Sequence, residues 1–251
     1  MPTTAQARSW LDRWDRQQEF HIPDREERFT VIGDVLASVL ERPDPLIVDL
    51  GAGPGSLAVR LLDRVPTSTV VAIDADPLLL GLARAAYGDR AQLRIVDHDL
   101  REHGWVAALD LPRPADAIVS TTALHWLTRD QLAAVYCAAR TLLRPGGVFV
   151  DGDHLTDGSP ALYQLGRDIA ARRAARIPPA EREDWASWWD AAAVAPELAE
   201  LTSLRGNRPL DHSVPDVPTL ADHIDLLRTA GFGEVGTVWQ HGDNRVLVAL
   251  R

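Results

Sequence analysis

From residue 45 to about residue 153, short apolar runs alternate with stretches of helical spacing. The apolar runs are candidate strands at residues 46–48, 69–73, 92–96, 115–120 and 148–150. The intervening stretches are candidate helices at residues 56–65, 77–87 and 128–143. Short apolar strands joined by helices predict a parallel sheet with helices on both faces. We therefore expect an α/β fold of the doubly wound type.

The alternation stops after residue 153 and regular structure returns near residue 220. Residues 220–230 predict a helix closed by Gly231, and residues 233–240 and 244–251 predict two strands joined by a tight turn. The segment between is rich in Ala and Arg and predicts helices, as does the N-terminal segment. We expect a helical N-terminal segment (1–44), a core domain (45–154 and 216–251) and a helical insertion (155–215), with the two helical parts forming a cap over the substrate.

A glycine-rich stretch, Asp-Leu-Gly-Ala-Gly-Pro-Gly-Ser at residues 49–56, follows the first strand and opens a helix. Glycines let the chain turn sharply, and free N–H groups at a helix start attract anions. A phosphate loop needs Gly-Lys-Ser/Thr, and this chain has no lysine. A dinucleotide site prefers Gly-x-Gly-x-x-Gly, whereas the glycines here are two apart. Asp49, just before them, disfavours a pyrophosphate and suits a ligand with an ammonium group.

Residues 49–55 resemble the first motif of the class I S-adenosylmethionine-dependent methyltransferases. Segments farther along the chain resemble that family in the same order: residues 71–74, 96–100, 120–126, 143–147 and 230–232. Five pieces in register are far more specific than one. The resemblance implies a mostly parallel seven-stranded sheet with an antiparallel last strand. It also implies S-adenosylmethionine as the cofactor, S-adenosylhomocysteine as the product, and no metal.

The same resemblance assigns residues to the cofactor site. They are Asp49, Gly51, Ala52, Gly53, Gly55, Asp74, Ala75, Asp99, Leu100, Thr121 and Arg28. In the family, an acid after the second strand binds the ribose hydroxyls and an acid after the third binds the adenine amino group. Either Asp74 or Asp76 can take the first role, with Asp74 preferred. Asp97 competes with Asp99 for the second.

Arg28 is a candidate clamp for the carboxylate of the cofactor, because a basic or hydroxyl side chain on this segment does so in several relatives. A surface ion pair with Glu26 or Glu27 is the alternative.

Candidate acceptor-site residues follow from position and chemistry. Ligands bind at the carboxyl ends of parallel strands. His125 follows the fourth strand at that edge and is therefore the first candidate for a general base. A histidine packed against Trp126 is the alternative. The residues predicted to line the acceptor pocket are Trp14, His21, Trp126, His154, Trp188 and Trp189. Aromatic walls favour an apolar, aromatic or cationic ligand, unless these rings only join the cap helices to the sheet.

Composition narrows the class of protein. A formal net charge of −10 makes nucleic acid an unlikely partner. The resemblance implies methyl transfer by in-line displacement to an O, N or C atom of the acceptor, and the expected cap suits a small molecule. His98 and His103 lack a metal-ligand pattern. The single cysteine, Cys137, is expected to be a buried thiol in a helix. No signal peptide or membrane span is evident, so we expect a cytoplasmic protein. The sequence does not specify an oligomeric state.

Three other functions fit the same sequence. The first is a tRNA-modifying methyltransferase, which needs a basic face. The second is an enzyme that uses this fold and cofactor without methyl transfer, such as a cyclase or a carboxymethyl transferase. The third is a module that binds the cofactor without catalysis.

Overall fold

The computed structural model describes residues 1–22, 24–176, 183–208, 210, 214 and 216–251. Parts of the predicted insertion, residues 177–182, 209, 211–213 and 215, lie outside the described residues. Within the described chain the strands are β1 (Leu46–Leu50), β2 (Thr69–Asp74), β3 (Leu93–Asp97), β4 (Ala115–Thr121), β5 (Leu143–His154), β6 (Glu234–His241) and β7 (Asn244–Leu250).

The α-helices of the described residues flank and follow these strands. They are α1 (Thr4–His21), α2 (Arg25–Val39), α3 (Ser56–Arg64), α4 (Pro77–Tyr87), α5 (Trp105–Ala108), α6 (Arg129–Leu142), α7 (Pro160–Ala174), α8 (Trp185–Val194), α9 (Ala199–Gly206) and α10 (Leu220–Thr229). Two short 3-10 turns lie at Leu124–Trp126 and Pro196–Leu198.

In the described chain the strands form one seven-stranded sheet in the order β3-β2-β1-β4-β5-β7-β6. The first five strands are parallel to one another, and β7 runs antiparallel to both β5 and β6. The order reverses between β1 and β4, and such a switch point in an open α/β sheet leaves a crevice at the strand ends. The predicted fold is therefore confirmed, including the antiparallel last strand.

Two apolar layers cover the sheet. Helices α2 and α3 pack on one face through residues such as Ile32 and Leu57, and α5, α6 and α10 pack on the other through Val135, Tyr136 and Leu227. Strand β1 is buried along its whole length, as a central parallel strand requires.

Polar residues start several helices. Thr128 and Gln131 form a capping box at α6, and the carboxyl of Asp76 accepts hydrogen bonds from the backbone of Leu78 and Leu79 at α4. These caps satisfy N–H groups that the first helical turn leaves unpaired.

A third cluster joins α1, α4, α8 and α9 at the edge of the sheet where β2 and β3 lie. Trp10 and Leu11 from α1, Leu79 from α4, Trp188 from α8 and Leu201 from α9 share this core. The N-terminal helix is thus packed against helices that follow β5 in sequence. Whether residues 1–44 and 155–215 act as a cap stays a prediction.

The expectation of a buried cysteine is wrong, because Cys137 is exposed. Helix α6 buries Leu132, Val135, Tyr136 and Ala139 against the sheet. Consecutive residues of a helix point in different directions, so Cys137, which comes directly after the buried Tyr136, lies on the solvent side of α6. Helical periodicity, rather than residue type, decides its exposure.

Candidate active site

A cavity of about 630 Å³ opens at the carboxyl ends of β1, β2 and β4. One part of its lining comes from the sheet ends: Gly51, Ala52, Gly53, Asp74, Ala75, Asp99, Leu100, Thr121 and His125. The other part comes from helices remote in sequence: Trp14, His21, Arg25, Trp185, Trp189 and Arg205. Pockets of this size hold small molecules in many proteins.

The glycine loop turns between β1 and α3 in a conformation that requires glycine. Gly51, Gly53 and Gly55 all have φ in the left-handed region, at +66°, +54° and +84°. Gly51 is also crowded, since a Cβ placed there would lie 2.3 Å from the Cβ of Ala123. Gly51 and Gly53 line the cavity, while Gly55 is the residue that precedes α3.

Asp49 lies at the end of β1, buried beneath the loop rather than in the cavity lining. Neither of its carboxyl oxygens makes a hydrogen bond of good geometry in the described structure. Burial and the nearby Asp74 carboxyl raise the pKa of Asp49 to about 8, with a smaller opposing effect from the backbone N–H of Ala58. An unsatisfied buried carboxyl is costly, which makes a cationic partner favourable at this place.

Asp74, at the end of β2, joins the glycine loop to the next turn. The backbone N–H of Gly53 donates to its Oδ2 at 2.7 Å, and the backbone N–H of Asp76 donates to its Oδ1 at 2.8 Å. Burial raises the pKa of Asp74 to about 6 although these hydrogen bonds lower it.

Asp76 has other partners. Its Oδ1 caps α4, and its Oδ2 accepts a hydrogen bond from Arg205 at 2.7 Å. Both acids line the cavity, but the charge of Asp76 is paired with Arg205, whereas Asp74 accepts only backbone N–H groups, which favours Asp74 as the residue available to a ligand.

Of the two acids around the end of β3, Asp99 lines the cavity with Leu100, and Asp97 does not. Asp97 is ion-paired with Arg208. Asp99 is held by Arg101, whose Nε and Nη2 donate to its carboxylate at 2.9 and 2.6 Å. Burial alone would raise the pKa of Asp99, but the hydrogen bonds and charge of Arg101 lower it below its ordinary value.

Arg28 is fully buried and does not line the cavity. Its guanidinium donates to Asn244 Oδ1 at 3.0 Å and to Thr122 Oγ1 at 2.8 Å. Thr122 has a φ of +53°, so Arg28 fixes a residue in the left-handed region just after β4. Burial lowers the pKa of Arg28 to about 10, which leaves it charged at neutral pH. The predicted surface pair with Glu26 or Glu27 is not among its contacts.

His125 and Asp153 form a hydrogen-bonded pair at the ends of β4 and β5. Nδ1 of His125 lies 2.9 Å from both carboxylate oxygens of the fully buried Asp153. A carboxylate only accepts hydrogen bonds, so Nδ1 carries the proton and Nε2 is the basic nitrogen. His125 lines the cavity and Asp153 stands behind it.

The charges of this pair shift the pKa values of the two groups in opposite directions. Burial would lower the pKa of His125, but the charge and hydrogen bond of Asp153 raise it above 6.5. Burial would raise the pKa of Asp153, but His125 and then Arg28 lower it well below its ordinary value. Asp151, also buried on β5, has a pKa raised well above its ordinary value by burial and by Asp153.

The residues predicted for the acceptor pocket divide into two groups. Trp14, His21, Trp126, His154 and Trp189 line the cavity. Trp188 does not; it is fully buried, and its ring centroid lies 5.6 Å from that of Trp10 and 5.0 Å from that of Trp14. It therefore has the packing role that was the alternative for these rings.

Several cavity residues were not found from the sequence. Arg25 is ion-paired with Asp15 at 2.8 Å, and Asp15 also accepts a hydrogen bond from Ser56 at the start of α3. Asp15 thereby fixes α1 against the glycine loop. The sequence could have indicated contact between Asp153 and His125, because both lie at strand ends. The contacts of Asp15, Arg101 and Arg205 could not be predicted, because these residues lie in helices or loops whose packing the sequence pattern does not show.

A search of the described residues finds no group of three or more His, Cys, Asp or Glu side chains arranged to hold a metal ion. In the same part of the chain, every helix is too short or too polar to cross a lipid bilayer.

Part of the chain that forms this site matches a known protein family. Residues 47–147, which span the glycine loop and strands β1 to β4, match a family model described as a methyltransferase domain. The sheet order and the glycine loop that this segment contributes to agree with the resemblance to the class I S-adenosylmethionine-dependent methyltransferases.

Its relatives include trans-aconitate 2-methyltransferases. The one from Azoarcus sp. (strain BH72) is 34% identical over 55% of this chain and 49% of its own length. The one from Streptomyces coelicolor is 31% identical over 81% of this chain and 62% of its own length. The chain thus spans about half to two thirds of the length of these curated relatives.

Solved structures show the same fold. A magnesium protoporphyrin IX methyltransferase from Synechocystis PCC 6803, with bound SAH, aligns with a TM-score of 0.57 at 18% identity, over 96% of this chain and 94% of that one. At this identity the likeness concerns the fold alone.

Proposed function

We propose that this protein transfers a methyl group from S-adenosylmethionine to a small-molecule acceptor. The observation that carries the proposal is the buried, unsatisfied carboxyl of Asp49 beneath three left-handed glycines, beside Asp74 at the cavity. A cofactor with both an ammonium group and a sugar fits this donor set. The curated relatives named methyltransferases and the structures with bound S-adenosyl ligands support the same reading.

The residues at the sheet ends would hold the cofactor by simple complementarity. The loop N–H groups and the start of α3 suit its carboxylate, and Asp49 offsets its ammonium charge. Asp74 can accept hydrogen bonds from the sugar hydroxyls. Ala75, Leu100 and Thr121 complete the wall around the nucleoside. When bound, S-adenosylmethionine supplies a methyl group already activated by a sulfonium.

The chain then has three tasks: to place the acceptor, to exclude water and to take up a proton. Placement alone can lower a barrier by roughly 7–11 kcal/mol. For an acceptor that carries a proton, Nε2 of His125 is the base and Asp153 is the positioning residue that fixes its tautomer.

We also propose that α1, α8 and α9 act as a cap. Trp14 of α1 and Trp185 and Trp189 of α8 line the cavity together with the glycine loop, and their helices pack together through Trp188. A cap built in this way suits a small acceptor better than a large polymer.

Calorimetry with S-adenosylhomocysteine tests the cofactor site. Asp74→Ala should weaken binding by about 1–3 kcal/mol, because sugar hydroxyls would be left unpaired in a buried site. Asp63→Ala on the exposed side of α3 is the matched control and should bind as the wild type does. Thermal unfolding checks that both variants are folded. Unchanged affinity in a folded Asp74→Ala protein would count against the proposed site.

A further inference from the structure

The arginines of the cavity are already neutralised. Among the described residues, those that line it are Arg25, Arg101 and Arg205. Each forms an ion pair within the protein: Arg25 with Asp15 at 2.8 Å, Arg101 with Asp99 at 2.6 Å and Arg205 with Asp76 at 2.7 Å. The chain has no lysine to add another fixed cation. An anionic acceptor would therefore have to compete with a protein carboxylate for each guanidinium.

Two of the histidines that line the cavity, His125 and His154, are paired with carboxylates. A protonated His125 is balanced by Asp153, and His154 lies 3.3 Å from a carboxylate oxygen of Asp243. Asp74 adds a carboxyl to the lining and Asp49 lies beneath it. Burial of an unpaired carboxylate in such a site costs free energy.

The acceptor side of the cavity is mainly aromatic. Trp14, Trp126, Trp185 and Trp189 line it, and Trp126 packs against His125 in a tilted arrangement with ring centroids 4.6 Å apart. The Nε1–H of Trp189 is buried and has no hydrogen-bond partner in the described structure, which leaves a donor for an acceptor oxygen. Flat apolar rings with one polar group match this wall.

The His125–Asp153 pair also discriminates between kinds of oxygen. A carboxylic acid has a pKa of about 4 and is already deprotonated at neutral pH, so its methylation needs no base. An aromatic hydroxyl has a pKa of about 10 and gains from one. Of these two kinds of oxygen, only the aromatic hydroxyl gains from a base held in position at the cavity.

We propose that the acceptor is an uncharged aromatic molecule methylated on a ring hydroxyl, rather than a multiply charged carboxylate. This inference rests on the methyl-transfer function proposed above. The hydroxyl oxygen forms the new O–CH₃ bond while the S–CH₃ bond breaks and leaves its electron pair on sulfur. The hydroxyl proton passes to Nε2 of His125, and the resulting imidazolium faces the Asp153 carboxylate.

A matched pair of probes tests this acceptor class. 2-Naphthol and 2-naphthoic acid share a ring system and differ in hydroxyl against carboxylate, and trans-aconitate represents the multiply charged acids. Binding of each to the protein saturated with S-adenosylhomocysteine is measured by calorimetry. We expect 2-naphthol to bind at least about tenfold more tightly than either acid, because the acids bury an unpaired charge. Mass spectrometry after incubation with S-adenosylmethionine should show one added methyl group on 2-naphthol.

Two variants test the physical reasons. Trp126→Leu should weaken 2-naphthol binding while S-adenosylhomocysteine affinity is kept. Trp239→Leu, on β6 away from the cavity, is the matched control and should change neither. Asp15→Asn removes the charge that neutralises Arg25, so it should shift the preference towards 2-naphthoic acid.

The result separates the two proposals. Absence of S-adenosylhomocysteine binding overturns the proposed function itself. Normal S-adenosylhomocysteine binding overturns the acceptor class alone if trans-aconitate or 2-naphthoic acid binds as tightly as 2-naphthol, or if 2-naphthol does not bind. An unchanged preference in a folded Asp15→Asn protein overturns the charge argument.

Discussion

Gly51 is the residue where backbone conformation and close packing coincide. Its φ of +66° disfavours any side chain, and its missing Cβ leaves room for Ala123 after β4. Gly55 shares the left-handed conformation, but nothing lies within 4 Å of the position its Cβ would take. A side chain at Gly55 would therefore meet only backbone strain, whereas a side chain at Gly51 would meet both backbone strain and steric contact.

Gly51→Ala should reduce S-adenosylhomocysteine affinity much more than Gly55→Ala. The second variant suffers only the left-handed strain of about 1–2 kcal/mol, whereas the first must also move the loop or the segment after β4. Calorimetry on both folded proteins measures the difference. Equal losses would show that contact with Ala123 does not matter.

Asp49 gives a proton-linked prediction. Its pKa of about 8 keeps it largely protonated at pH 7 in the free protein. An ammonium group bound beside it favours the charged form, so binding of S-adenosylhomocysteine should release close to one proton at pH 7. Calorimetry in buffers of different ionisation enthalpy measures that release. Asp49→Asn should abolish it, and a wild-type enthalpy independent of buffer contradicts the assignment.

The His125–Asp153 pair predicts the pH dependence of turnover. A general base must be neutral, so kcat should fall as the pH drops through the pKa of His125, which Asp153 raises above 6.5. Asp153→Asn removes the charge that raises it, so the inflection should move to lower pH and kcat should decrease. A profile that does not move in a folded Asp153→Asn protein would exclude this coupling.

Local patterns predicted the parts of the site that are local in sequence. The glycine spacing and the strand-end acids Asp49, Asp74 and Asp99 are read from short segments. Contacts across the fold were not accessible: Arg28 meets Thr122 and Asn244, which lie 94 and 216 residues away. A surface ion pair is the reasonable expectation for an arginine that directly follows two glutamates, and only packing shows that this arginine is buried.

At the scale of elements, α1 and α8 depend on one another through tryptophan. Trp188 is fully buried between them, with its Nε1–H near the backbone oxygen of Trp10. Trp185, on the same helix, is half exposed and lines the cavity. One helix therefore provides a packing residue and a ligand-facing residue.

Trp188→Ala should destabilise the protein by about 3–5 kcal/mol, as a large buried ring is removed from a packed core. Trp185→Ala should change stability by no more than about 0.5 kcal/mol, because its site is half exposed, and should weaken acceptor binding instead. Urea unfolding measures the first effect, with Trp188→Phe as a milder variant if the alanine protein does not fold. Equal stability of the Trp188→Ala and Trp185→Ala proteins would contradict these roles.

Strands and helices of the sheet were predictable because their hydrophobic periods are regular. The five parallel strands and the final hairpin lie close to where the apolar runs place them. The exposure of Cys137 was not predicted, because its residue type suggested burial. In α6 the buried stripe is formed by Leu132, Val135 and Tyr136, and Cys137 lies outside it. The partners of α1 were also hidden, because the helix packs on α4, α8 and α9 far along the chain.

At the scale of the whole molecule, the cavity exists only because five separate parts of the chain meet. The glycine loop and the ends of β2 and β4 form its floor, and α1 and the segment from α8 to α9 form its wall. The hydrogen bond from Ser56 to Asp15 and the ion pair of Asp76 with Arg205 hold that wall to the floor. The net charge of −10 describes the molecule as a whole and gave no indication of this pairing inside the cavity.

The central claim is that the glycine loop and Asp74 bind the methyl donor with its reacting end towards His125. A crystal structure of the protein with S-adenosylhomocysteine tests it most directly. The account predicts that the sugar hydroxyls lie within hydrogen-bond distance of Asp74 and that the sulfur faces the space between His125 and the tryptophans. A ligand bound elsewhere, or with its sugar away from Asp74, would contradict the account.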